Sequence, residues 1–159
     1  QQVRGFLTIH SAPSALRHHI DWAIQGVLGN WIKLSWNPQP ILAGTFRTQL
    51  EFRSSQGAAA EIASVLRSWH YLNFEVIEGS ETGGELFRFT PELGIHRAVV
   101  DQSGAVLVNE NQITSLLASA FDEESIREGI AELMGNSWES ELERFRSVDL
   151  QELPRLHAI

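Results

Sequence analysis

The chain contains no cysteine among its 159 residues. That absence excludes disulfides, thiolate nucleophiles, iron–sulfur clusters and cysteine-ligated zinc, and it fits a cytoplasmic protein. Lysine occurs once, as Lys33, which leaves one Schiff-base candidate, and a lone strand lysine is ordinarily a solvated edge charge. No apolar run approaches the length needed to cross a membrane, and no charged-then-apolar leader opens the chain. Glutamine at position 1 is not an initiator residue, so a few leading residues are expected upstream. Also missing are G-x-S-x-G, G-x-x-x-x-G-K-[ST], a strand-following G-x-G-x-x-G and H-E-x-x-H, which removes the common hydrolase-elbow, nucleotide and zincin classes.

What is present is ordinary for a soluble globular protein. Hydrophobic residues make up 43% and charged residues 20%, and this length builds one domain, residues 1–159, with a core of its own. The charge is uneven. Residues 1–79 hold six basic side chains against five acidic ones, whereas residues 80–159 hold six against fifteen. The acidic half repels phosphate backbones, so nucleic acid is not an expected partner.

Alternation in "VRGFLTIH" predicts a strand over 3–10. Ser11 or Ser14 then supplies a cap, and Leu16, Ile20, Ala23, Ile24 and Val27 recur at helical spacing until Gly29. "IKLSW" (32–36) and "TFRTQLEFR" (45–53) are predicted strands, separated by "NPQPILAG". A second helix follows with Ala58, Ile62, Val65, Leu66 and Trp69 inward, then the strand "LNFEVIE". The order β-α-β-β-α-β is that of a ferredoxin-like split arrangement: two helices on one face of an antiparallel sheet. After the linker-like "GSETGG", "ELFRFTP", "GIHRAVV" and "AVLVNE" are further strands, the last two joined at "DQSG". Asn109 with Gln112, and Asn136 with Glu139, are capping boxes for C-terminal helices. The fold class is therefore α+β, a ferredoxin-like half (1–79) with an antiparallel sheet, extended by strands and C-terminal helices (85–159).

Together "RGFLTIHSAP", "HIDWAIQGVLG", "LRSWHYLNFEV", "TPELGIHRAV" and "WESELERFR" resemble the actinobacterial domain-of-unknown-function family 3145 over nearly the whole chain. The resemblance implies a cytoplasmic, single-domain actinobacterial protein without an established activity. Genes of this kind lying near fatty-acid synthesis genes would point toward acyl metabolism. The family has no accepted catalytic motif, so no site residue is transferred.

The densest chemistry is "HSAPSALRHHIDW". His18 and Asp21 have the i, i+3 spacing of a metal pair, with His10 as a conceivable third ligand, but a polar helix surface explains them more simply. His10 and Ser11 adjoin on a strand and point to opposite faces, which is poor geometry for a nucleophile pair. Trp22 lies opposite the helix's apolar arc, where it is either covered by the C-terminal helices or marks a contact surface. With Phe46, Thr48, Leu50 and Phe52 toward the helices, Arg47 and Arg53 fall on the open sheet face. Basic and aromatic residues there, with Arg4, Thr8 and His10, suggest an RNA platform or an anion site, and the missing RNA-binding signatures favour a small anion or an acidic protein. The second half covering this face is the competing reading. His70 suits a helix end, His96 a structural strand position, and Glu139, Glu141 and Glu143 a solvated acidic helix face.

The expected function is a non-catalytic ligand-binding or protein-interaction module acting through His10, His18, Trp22, Arg47 and Arg53. The alternative is an enzyme of unknown class using His10 or His18 as acid–base with Asp21 or an arginine. No cofactor or metal is expected. The expected partner is a protein or a small anion rather than a membrane, and a homo-oligomer is left open.

Overall fold

Alternation builds the sheet, and the sheet places everything else. The computed structural model describes residues 1–149; the end of the expected second half, 150–159, lies outside the described residues. Seven strands form one sheet: β1 (Gln2–Pro13), β2 (Asn37–Pro38), β3 (Thr45–Ser55), β4 (Asn73–Ser80), β5 (Gly83–Thr90), β6 (Gly94–Val100) and β7 (Val106–Leu107). Their order is β2-β3-β1-β4-β5-β6-β7, and every neighbouring pair is antiparallel. Among the described residues the five α-helices are α1 (Arg17–Leu28), α2 (Ala58–Leu66), α3 (Glu110–Ser119), α4 (Glu123–Leu133) and α5 (Asn136–Arg146).

Helices α1 and α2 cover one face. Ile20 and Ile24 of α1, and Ala59, Ile62 and Leu66 of α2, are buried with Leu7, Ile9, Phe52, Phe74 and Val76 of the strands. Each large aliphatic buried there contributes roughly 1.5–3 kcal/mol. Helix α2 starts on Gly57 at φ +101 with no local side-chain cap. Its cap comes from β4 instead: Glu78 accepts from Gly57 N at 2.9 Å and Ala59 N at 2.7 Å. A carboxylate buried against a helix N-terminus satisfies two of its four free amides and complements the helix dipole.

Several local expectations are corrected. Residues 32–36 are not a strand. Ile32 is buried, and Leu34 and Trp36 pack on the same core, but the segment's carbonyls are taken by side chains: Gln25 donates to Ile32 O at 3.0 Å and Thr48 to Ser35 O at 2.8 Å. The sheet edge is Asn37–Pro38, inside the stretch expected to break it. Neither Ser11 nor Ser14 caps α1, because β1 runs on to Pro13 and a 3-10 turn intervenes. Asn109 does cap α3, accepting from Asn111 N. Asn136 is already helical, and Gly135 stands at the N-cap of α5 at φ +78.

The other face is layered by register. Phe6, Ile77 and Val100 form a small second core there. Helix α5 lies over the part nearest the β1 C-terminus, with Trp138, Leu142 and Phe145 buried beneath it.

Candidate functional site

Register alone assembles a polar row under α5. Gln49 pairs with Thr8, Thr8 with Glu75, Glu75 with Arg88 and Arg88 with His96. Each strand supplies one residue, so the row runs across the sheet on one face. His10 reaches the same cluster from β1, its Nε2 2.5 Å from Glu75 Oε2.

Helix α5 then closes over the row. Arg146 donates from Nε to Glu75 Oε2 at 2.9 Å and from Nη2 to Glu75 Oε1 at 2.7 Å, and from Nη1 to Glu139. The other oxygen of Glu139 accepts from Arg88 Nη1 at 2.7 Å. Arg88 is 1% exposed and also donates to Met134 O at 3.0 Å; among the described residues its Nε alone is a buried side-chain nitrogen or oxygen without a partner. Phe145 stacks on His10 and Trp138 on His96, with ring centroids 5.8 and 4.7 Å apart. Trp138 Nε1 donates to Gly94 O at 2.9 Å.

The fit at the start of α5 is tight. A Cβ at Gly135 would come within 2.5 Å of Arg88 Nη2 and of a His96 ring carbon. The positive φ and this close approach both demand glycine.

The electrostatics follow from burial against pairing. Burial works to raise the Glu75 carboxyl, but His10 and Arg146 overcome it and hold it at about 2. Burial lowers Arg88, opposed by the attraction of Glu139 and Glu75. Burial and the Arg88 charge push His96 below its ordinary value, against the Leu133 carbonyl and Glu132. Arg146 is raised because hydrogen bonds and charge from Glu75 and Glu139 outweigh its burial. Since ionised Glu75 is an acceptor only, the His10 proton sits on Nε2. The cluster is an ion network in which Glu75 and Glu139 bridge Arg88, Arg146 and His10, with Glu139 at its exposed rim.

A second feature occupies the opposite end of the same face. There Arg53 pairs with Arg4, Arg4 with Gly79 and Gly79 with Gly84. Arg4, Arg53, Gly79, Ser80 and Thr82 line a groove of about 410 Å³, with Glu81 on its wall. Arg4 donates to Glu51 at 3.0 Å. Arg53 is exposed and has no ion-pair or hydrogen-bond partner among the described residues. Glycine at 79 keeps the face low beside the arginines.

The residues singled out from sequence are thus dispersed. His10 is 3% exposed within the ion network. His18 is exposed on α1, and Trp22 is 72% exposed there, since α5 covers the opposite face of the sheet and not this one. Trp22 meets His19 edge-on at 6.4 Å. Asp21 accepts from Trp36 Nε1 at 3.0 Å and is a structural partner. Arg47 is half-buried and Arg53 exposed. Only Arg47 and Arg53 share a strand and face. Among the described residues no group of three or more His, Asp or Glu is placed to hold a metal, and no helix is long and apolar enough to cross a membrane.

Glu75, Arg88, His96, Glu139 and Arg146 form one cluster that the linear sequence does not reveal. The only signal was a lone polar residue at one alternating position of each strand. Comparison with curated proteins and with solved structures gives no match. A family model does match, over residues 6–154, and the chain belongs to that family, the proteins of unknown function DUF3145.

Proposed function

We propose that the protein is a non-catalytic binding module that holds an anionic group, carboxylate or phosphate, in the groove between Arg4 and Arg53. One observation carries the reading: two arginines stand directly opposite each other across β1 and β3, and one of them has no counter-charge among the described residues. Like charges so placed repel, and an anion bridging both guanidiniums relieves that repulsion with charge-assisted hydrogen bonds. Ser80 and Thr82 line the same groove, their hydroxyls hydrogen-bonded to each other at 3.0 Å.

Burial of His10 supports the binding reading over the enzyme one. His10 is buried and its Nε2 proton is held by Glu75, so a ligand has no access to it in this arrangement. His18 is exposed on the surface of α1. The antiparallel order β2-β3-β1-β4 supports the ferredoxin-like reading of the first half, and one sheet running through both halves supports a single domain. Absence of cysteine supports a cytoplasmic setting.

Calorimetric titration with inorganic phosphate, and with a short poly-glutamate peptide, tests the proposal. Binding that is lost in Arg53→Glu and weakened in Arg53→Lys is the expected result. Preference for the peptide assigns an acidic protein as the source of the anion. Equal binding by wild type and Arg53→Glu overturns the site.

A further inference from the structure

Helices α3 and α4 bury no side chain completely. They pack on each other where a Cβ at Gly129 would run into Leu116, yet large apolar side chains remain outside: Phe121 is 98% exposed, with Leu117 and Met134 also open. The strand edge beside them behaves likewise. Val99 and Leu107 are cross-strand partners, and both are exposed. Hairpin and edge meet at a cleft of about 740 Å³ lined by Val99, Leu107, Gln112, Glu132, Leu133 and Trp138.

The charge around this apolar surface is mainly negative: Arg97 also lines the cleft, but it is paired with Glu85. Residues 110–134 carry six carboxylates against the single Arg127, and Arg127 is already paired with Glu123. A second copy would bring like charges together, at a cost that disfavours self-association. The sheet's last strand is two residues long, too short to template an added strand, so docking must rest on side chains. We infer that this cleft docks a basic amphipathic helix of a partner protein, its apolar stripe on Val99, Leu107 and Leu133 and its lysines or arginines against the carboxylates of α4. The surface is separate from the arginine groove and opposite to it in charge.

The test uses a synthetic Lys/Leu amphipathic helical peptide and a scrambled peptide of identical composition. The expected result is amide shifts over residues 99–134 with the amphipathic peptide only, and binding weakened at least about thirtyfold in Leu107→Glu, a change of hot-spot size. Val99→Glu, also exposed, gives a second variant should Leu107→Glu fail to fold. Equal binding of the two peptides overturns the inference by reducing it to bulk charge. So does a dimer, seen in sedimentation, that Leu107→Glu dissolves, since the occupant is then a second copy.

Discussion

Arg146 grips both oxygens of Glu75 at 2.9 and 2.7 Å across 71 residues of sequence. This forked ion pair ties the last helix to the centre of the sheet. It also fixes what His10 can do, because Glu75 occupies the His10 proton.

Glu75→Gln leaves Arg146 and His10 without their carboxylate and costs about 3–5 kcal/mol, as removal of one partner of a buried pair does. Urea unfolding measures it. Arg53→Ala, on the exposed groove, changes stability by less than about 0.5 kcal/mol.

Acid weakens the fold in a defined window. Glu75 titrates at about 2 in the folded protein against 4.5 ordinarily, so the unfolded chain takes up the proton first as pH falls. The contribution is present above about pH 5 and is lost toward pH 2; its size is about 3 kcal/mol. His96, held below its ordinary 6.5, acts in the same direction from higher pH, because unfolding frees it to protonate. Denaturation midpoints across this range should fall with acid, and Glu75→Gln should flatten the lower part of the curve.

Histidine titration followed by NMR gives an independent check. The His96 midpoint should lie below 6.5, and Arg88→Met, which removes the nearby positive charge, should move it upward.

Gly135→Ala tests the seat of α5. The alanine must adopt φ +78 and also displace Arg88 or His96, so the expected loss exceeds the roughly 1 kcal/mol that a strained backbone costs alone. Thermal unfolding reads it, and Gly129→Ala, which meets only the flexible end of Leu116, should cost less.

How much of this was legible depends on range. Helix α1 could be read from Ile20 and Ile24 because helical periodicity is local. Residues 32–36 alternate like a strand, and only the capture of their carbonyls by Gln25 and Thr48 reveals otherwise. Glu139 looks like part of a solvated acidic face beside Glu141 and Glu143, yet it bridges Arg88 and Arg146. The polar row could not be foreseen, since each strand hides one member and only the register lines them up. Arg53, by contrast, was placed by simple alternation.

The most direct test of the central claim is an amide-shift map recorded while inorganic phosphate is added to the full chain. An anion in the groove perturbs Arg4, Arg53, Gly79 and Ser80 and leaves His10 and Glu75 unmoved. Shifts centred on His10 or His96, or no shifts in the groove, would contradict it.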